Sequence, residues 1–213
     1  MHLTKYEHAC FTVQSDERRL VLDPGNLTTD LDIQDKTDVV VITHEHPDHF
    51  LLDNISQIVK LNPATTVVGP QAVVDGLSEL DCQTQVAAAG DNLTIGNFSL
   101  EFFGGTHAEI HSDIPLISNL AVLINQTLYY PGDSLTRPDK SVTALALPAA
   151  APWLKIGESI DLLRDIKPKI AFPTHDAIYS ESGKNIADNM LSGAAESIDC
   201  QYTRLESGES ITV

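Results

Sequence analysis

A run of aliphatic residues leads directly into a cluster of metal-ligand side chains, and this junction constrains the fold more than any other feature. Residues 38–43 read DVVVIT, a β-branched run without polar alternation that is typical of a strand covered on both faces. His44, His46, Asp48 and His49 follow in the spacing H-x-H-x-D-H. The sequence therefore predicts a buried strand that ends in a ligand cluster.

Imidazole and carboxylate groups at this spacing indicate a metal site. Residues two apart on an extended segment point the same way, so His44 and His46 can hold one metal ion, while Asp48 and His49 in the following turn can face a second. These donors suit Zn, Mn or Fe. The alternatives are a polar surface loop or a lone structural metal, but structural zinc sites favour closed, Cys-rich ligand sets.

Strand and helix patterns divide the chain into two mixed β/α halves around a mostly β centre. Such an order predicts an α+β fold, an αββα sandwich in which two mixed β-sheets pack face to face with helices on the outer faces. Gly and Asn at positions 96 and 97 predict a hairpin within the centre. The predicted strands are 9–13, 18–25, 38–43, 65–69, several within 83–130, 144–148, 169–173 and a final pair near 200–213. The predicted helices are 51–61, 71–80, 157–166 and 183–197.

Composition limits the classes of function. The chain has 213 residues, 42% of them hydrophobic, and no linker-like segment, so we expect one domain, 1–213. A net charge of -17 opposes nucleic-acid binding, which depends on cationic contacts to phosphates. Three widely spaced cysteines form no disulfide framework, and neither a signal peptide nor a membrane span is visible. We expect a cytoplasmic protein that acts on a small molecule away from membranes.

With the H-x-H-x-D-H motif at the end of a strand, the chain resembles the metallo-β-lactamase-fold hydrolases, which form an αββα sandwich with a two-metal cleft along its edge. The family pattern asks for four further residues in fixed order and context. The sequence offers Asp23 in LVLDPG, His107 in GGTHAEIH, Asp133 in LYYPGDS and His175 in IAFPTHDA. The resemblance therefore spans nearly the whole chain.

The resemblance implies a set of metal ligands for two divalent ions, with Zn as the first choice and Mn or Fe as alternatives. Asp133 would bridge the two ions. Asp23 would not touch a metal but would fix the ligand loop by hydrogen bonds. The implied ligands are His44, His46 and His107 for one ion, and Asp48, His49 and His175 for the other.

The reaction that the resemblance implies is hydrolysis of a small ester, lactone or phosphoester by a metal-bound hydroxide. Two ions about 3.5 to 4 Å apart would share a water and lower its pKa towards neutrality. Asp48 would act as the catalytic residue by orienting that hydroxide. A non-catalytic metal-binding or sensing module is the rival interpretation, and a structural zinc loop that stabilises the fold is a third.

Several positions remain open at the level of sequence. His111 competes with His107 as a ligand; we prefer His107, because it matches the family position and because two glycines before it let the backbone approach a metal. His111 would then contact substrate or be exposed. His8 either contacts substrate or is a hydrogen-bonded core histidine. Arg137, with Lys140 or Lys155, is the candidate anion contact.

Departures from related patterns narrow the choice within the family. His46 stands where flavodiiron oxidoreductases carry Glu, and Asp133 stands where secreted β-lactamases of the common types carry Cys. The chain is too short after His175 for a glyoxalase II helical domain, and too short before it for the insertion of nuclease members. Residues 105–134 instead resemble the compact lactonase of ascorbate 6-phosphate and its relatives. Some relatives assemble as oligomers, so a homo-oligomer is also expected.

Overall fold

Two seven-stranded β-sheets lie face to face, with helices on their outer surfaces. The computed structural model describes residues 1–213. The strands are β1 (His2–Lys5), β2 (Phe11–Ser15), β3 (Arg18–Leu22), β4 (Thr37–Val41), β5 (Thr66–Gly69), β6 (Gln83–Val86), β7 (Asn92–Ile95), β8 (Phe98–Gly104), β9 (Leu120–Ile124), β10 (Leu128–Tyr130), β11 (Ala144–Pro148), β12 (Ile170–Thr174), β13 (Gln201–Tyr202) and β14 (Ser210–Thr212). The helices are α1 (Leu52–Leu61), α2 (Gln71–Gly76), α3 (Ile156–Ile166) and α4 (Glu181–Glu196).

Both sheets are mixed, as the sequence predicts. The first has the order β14-β1-β2-β3-β4-β5-β6, and the second has the order β13-β12-β11-β10-β9-β8-β7. Strands β3 to β6 pair in parallel, as do β10 to β13, while the remaining neighbours are antiparallel. The predicted hairpin joins β7 to β8, where Ile95 pairs with Phe98 across Gly96 and Asn97.

Strand β4 is covered on both faces, which explains its unbroken valine run. Val39 and Val41 enter the apolar core between the sheets, whereas Val40 packs into the layer that includes Ile55 and Ile58 of α1. On the other side of the molecule, apolar side chains of α3 and α4 pack against the second sheet. The four layers confirm the αββα sandwich.

Two strands form within residues 200–213, as the sequence predicts, and they belong to different sheets. Strand β13 pairs with β12 in the second sheet, and β14 pairs with β1 in the first, where Leu3 is opposite Ile211. Each strand lies at the edge of its sheet. Strand β14 hydrogen-bonds to the free edge of β1, and β13 hydrogen-bonds to the free edge of β12. Helix α2 also ends at Gly76, and Leu80 N–H bonds to Leu77 O in a turn instead.

Loops that follow strand ends carry every candidate ligand and two residues, His8 and Asp23, that hydrogen-bond to ligands. Parallel strands β3, β4, β11 and β12 place their carboxyl ends at shared edges. None of the four helices has the length and apolar character needed to cross a bilayer. The loops in question follow β1 (His8), β3 (Asp23), β4 (His44, His46, Asp48 and His49), β8 (His107), β10 (Asp133) and β12 (His175).

Candidate metal centre

His44, His46 and His107 form the first group of candidate ligands. One ring nitrogen of each lies within 4.8 Å of those of the other two. Nε2 of His44 lies 3.1 Å from Nδ1 of His46, and His44 and His107 are buried whereas His46 is half-buried. The structure therefore brings together three imidazoles that come from two loops, as the sequence predicts for the first ion.

Asp48, His49 and His175 form the second group, together with His8. Their donor atoms also lie within 4.8 Å of one another. Oδ2 of Asp48 is 3.2 Å from Nε2 of His175 and 3.7 Å from Nε2 of His49. The three residues assigned to the second ion thus converge, and His8 adds a fourth donor that the sequence did not assign to a metal.

Asp133 lies between the two groups. Its Oδ1 is 3.2 Å from Nε2 of His49, and its Oδ2 is 3.1 Å from Nε2 of His175 and 3.4 Å from Nε2 of His107. The carboxylate therefore faces histidines assigned to both ions. This position is the one that a bridging ligand requires.

Buried nitrogen atoms without hydrogen-bond partners point into the centre. Nε2 of His49, His107 and His175 and Oδ1 of Asp133 are buried and make no hydrogen bond. Nδ1 of His107 lies 2.6 Å from Ala108 O, and Nδ1 of His175 lies 2.5 Å from Ala150 O. Because carbonyl oxygens only accept, both rings carry a proton on Nδ1, as metal-binding histidines commonly do.

Asp23 organises the loop that carries the motif. Its Oδ1 accepts the Thr43 N–H at 2.8 Å, and its Oδ2 accepts the Thr43 hydroxyl at 2.7 Å. The same Oδ2 is 2.7 Å from Nδ1 of His49 and accepts the Tyr130 hydroxyl at 3.0 Å. Asp23 is fully buried, so these bonds hold the end of β4 and orient the His49 ring.

Burial and neighbouring charged groups shift the pKa values of Asp133 and His175 in opposite directions. Burial alone would raise the pKa of Asp133, but His49, His107 and His175 hold it well below its usual range. Burial would lower the pKa of His175, yet interaction with Asp133 and Asp48 raises it to about 9. Burial holds the pKa of His44 well below its ordinary value. An ion bound by His175 would displace that proton, since only a neutral imidazole is a ligand.

Two residues that the sequence did not assign hold Asp133 in place. The Trp153 indole N–H donates to Oδ2 of Asp133 at 2.8 Å. Buried Asn119 accepts the Asp133 backbone N–H at 2.9 Å and donates to Pro131 O at 3.0 Å. Asn119 lies within the 105–134 tract that carries the family resemblance, and that tract is the signal that could have identified it, whereas Trp153 lies outside the tract.

The remaining predicted residues lie outside the ligand cluster. The His111 side chain is 64% exposed beside Asp113, so of the two competing histidines it is His107 that reaches the cluster. Arg137 forms an exposed ion pair with Asp165. The guanidinium that we expected to contact an anion thus contacts a carboxylate of the same chain.

His8 is only 1% exposed, and this placement favours a hydrogen-bonded core histidine over a substrate contact. Burial lowers its pKa to about 4. The two glycines before His107 have φ values of 81° and 121°. They therefore permit a sharp left-handed turn before His107.

Comparison with known proteins agrees with this fold. A family model described as a β-lactamase superfamily domain matches residues 2–175. Protein Rv0786c of Mycobacterium tuberculosis is 34% identical over 191 residues, covering 87% of this chain and 89% of that protein. A UPF0173 metal-dependent hydrolase of Anoxybacillus flavithermus is 25% identical over 195 residues, covering 82% of this chain and 85% of that protein.

A solved structure shares the architecture at lower identity. Igni18, a metallo hydrolase from the archaeon Ignicoccus hospitalis, superposes with a TM-score of 0.77 at 19% identity, covering 100% of this chain and 97% of that one. This likeness concerns the fold, whereas the family model matches residues 2–175 of the sequence itself. The chain therefore belongs to the β-lactamase superfamily of metal-dependent hydrolases.

Proposed function

We propose that this enzyme hydrolyses a small ester, lactone or phosphoester with two divalent metal ions, Zn first and Mn or Fe as alternatives. One observation carries the proposal: Nε2 of His49, His107 and His175 and Oδ1 of Asp133 are buried without hydrogen-bond partners and converge. Buried polar groups without partners are rare in proteins. Divalent ions would satisfy all four atoms at once.

The residues divide into two ligand sets with different surroundings. His44, His46 and His107 offer nitrogen donors only, whereas the second set adds the Asp48 carboxylate to His49 and His175. When bound, two such ions would activate a water and polarise the bond under attack. The donor chemistry fits Zn, Mn or Fe, and none of the residues offers a thiolate.

Asp48 differs from Asp133 in its access to solvent, and this difference assigns their roles. The side chain of Asp48 is 27% exposed, whereas that of Asp133 is 4% exposed. Asp48 can therefore accept a hydrogen bond from a water molecule that enters the cleft and orient it towards the substrate. Asp133, held by Trp153 among the histidines, would bind both ions.

A carboxylic ester or lactone suits the site better than a phosphoester. Recognition of a phosphate group favours charge-assisted donors, but Arg137 pairs with Asp165 and Lys140 pairs with Glu101. Of the three candidate anion contacts, Lys155 alone makes no ion pair in the structure. The net charge of -17 further disfavours anionic substrates.

The cellular setting and assembly belong to the same proposal. The three cysteines are free, and Cys10 and Cys200 are buried, which supports a reducing compartment such as the cytoplasm. A small-molecule substrate fits a cleft formed by loops at strand ends. We also propose that the chain forms a homo-oligomer, as some relatives with this fold do.

Metal content and turnover test the proposal together. Protein purified without chelator should contain close to two ions per chain by plasma mass spectrometry and should hydrolyse members of a panel of lactones, carboxylic esters, thioesters and phosphodiesters. His46→Ala should lose an ion and the hydrolysis, whereas the exposed-site control His111→Ala should retain the ions. One ion or none in the wild type, with His46→Ala unchanged, would contradict the proposal.

The rival functions give different results in the same experiment. A binding or sensing module would retain two ions but hydrolyse nothing in the panel. A structural zinc loop would unfold when the metal is removed, whereas a catalytic centre should lose activity before the fold is lost. Circular dichroism of chelator-treated protein separates these two outcomes.

A further inference from the structure

His8 makes hydrogen bonds to three segments of the chain beside the candidate metal centre: the end of β1, the loop after β4 and the loop after β12. Its backbone lies in the left-handed region with φ of 55°, a conformation that non-glycine residues adopt mainly when surrounding bonds enforce it. Its carbonyl oxygen accepts a hydrogen bond from the Lys5 ammonium at 2.7 Å and another from the His175 backbone N–H at 3.0 Å. His8 is thereby fixed to the ligand loop of His175.

The hydrogen bonds of the ring define where its proton is. The Ala177 backbone N–H donates to Nδ1 of His8 at 3.3 Å. A ring nitrogen that accepts a hydrogen bond carries no proton, so the proton of this imidazole is on Nε2. Nε2 lies 3.0 Å from Oδ2 of Asp48 and therefore donates to that carboxylate.

This tautomer separates His8 from the other histidines of its group. His8 belongs to the four-donor set of the second ion by distance alone. A metal ligand needs an unprotonated nitrogen directed at the ion, and Nε2 of His8 instead presents a hydrogen to Asp48. In His107 and His175 the arrangement is reversed, because their Nδ1 atoms face carbonyl oxygens.

We propose that His8 is a positioning residue that acts through Asp48: its Nε2–H fixes Oδ2 of Asp48 beside the Nε2 atoms of His49 and His175. The inference rests on the proposed function, since Asp48 is the residue that binds the second ion and orients water there. Asp48 needs such a partner because it lies in a turn and is partly exposed. Hydrogen-bond partners of this kind change metal affinity by about 10- to 100-fold.

A double-mutant cycle on metal affinity tests the inference without an identified substrate. The probe is Zn²⁺ titrated against a chromophoric chelator into the metal-free full chain, and the readout is the affinity for the second ion. His8→Ala should weaken that affinity by about 10- to 100-fold. His8→Gln, which retains an N–H donor at the end of its side chain, should restore most of the loss.

The cycle distinguishes action through Asp48 from other roles. Asp48→Ala should weaken the second site by itself, and adding His8→Ala should then change the affinity little, because coupled residues are not additive. Additive losses, or failure of a folded His8→Gln variant to recover affinity, would overturn the inference. Melting followed by circular dichroism establishes that each variant is folded.

The same titration tells this failure from that of the proposed function. A wild type that binds fewer than two ions overturns the dinuclear proposal and this inference with it. Two ions in the wild type, with equal second-site affinity in His8→Ala, overturn the role of His8 alone. Where a substrate has been found, His8→Ala should lower kcat more than it raises KM, and a matching loss in Asp48→Ala supports a shared role.

Discussion

The indole N–H of Trp153 donates a hydrogen bond to Oδ2 of Asp133, with 2.8 Å between the two atoms. The same oxygen is 3.1 Å from Nε2 of His175. In the proposed centre, a carboxylate between two ions would need a fixed orientation, and a charge-assisted hydrogen bond from a large, packed side chain would supply that restraint. Trp153 would thus support the proposed metal centre although it offers no ligand atom.

Trp153→Phe should therefore weaken metal binding while leaving the fold intact. The substitution removes the donor but keeps an aromatic ring, and we expect a loss of about 10- to 100-fold in metal affinity. Chelator competition measures it. Tyr129→Phe is the matched control, because it removes a hydroxyl that donates to Thr136 O at 2.8 Å. Equal affinities for both ions in wild type and Trp153→Phe would show that the bond is unimportant.

Asp23→Asn should destabilise the metal-free protein. The substitution places an amide NH₂ where a fully buried carboxylate accepts bonds from Thr43 and Tyr130 and lies against His49. Breaking a buried charge pair costs about 3 to 5 kcal/mol in the free energy of unfolding, measured by urea denaturation. The exposed control Asp30→Asn should change it by no more than about 0.5 kcal/mol. A similar small change in Asp23→Asn would refute the organising role of Asp23.

Local pattern predicted the sandwich and the motif at the end of β4, whereas the candidate ligands outside that motif were implied by the family resemblance. The valine run of β4 marks a strand covered on both faces, and the motif that follows it has too many donors to be a chance loop. Spacing alone gave no role to Trp153, Asn119 or Lys5, because their contacts depend on how loops from distant strands meet. The bond from Trp153 to Asp133 joins residues 20 positions apart.

The destinations of the last two strands could not be predicted for a related reason. Residues near 200–213 have strand character, but hairpin partners and edge partners look alike in sequence. Strand β14 pairs with β1, which lies at the opposite end of the chain, and His2 is opposite Thr212. Burial of His8 likewise follows from contacts with residues 175–177, which the N-terminal sequence does not show.

The pair His107→Ala and His111→Ala should separate the two competing histidines. Nε2 of His107 is buried without a partner, whereas the His111 side chain is 64% exposed. We expect His107→Ala to lose the first ion and all hydrolysis, and His111→Ala to keep both ions with at most a change in KM. Metal analysis of the two purified proteins measures this. Loss of an ion from His111→Ala alone would reverse the assignment.

The metal-free protein should lose stability as the pH rises from about 7 to 8. Below about pH 7 the unfolded chain still protonates His8 and His44, whose pKa values are lowered by burial in the folded protein, and their contribution has the opposite sign. In the folded state, interaction with Asp133 and Asp48 overcomes burial and raises the pKa of His175 to about 9. The unfolded chain releases this proton near pH 6.5, so the folded state binds more protons and stability falls by about 1.4 kcal/mol per pH unit. His49, whose pKa also lies well above its usual value despite burial, adds a change of the same sign.

Urea denaturation at several pH values, with chelator present, measures this slope. The range ends at pH 8 because burial lowers the pKa of Lys5 to about 8, and above that value the contribution of Lys5 has the opposite sign. His175→Gln removes one titrating group and should therefore make the free energy of unfolding depend less steeply on pH. Saturating Zn²⁺ should abolish the fall, since a coordinated ring nitrogen holds no proton. A stability that is level or rises over this range without metal would show that His175 is neutral in the folded protein.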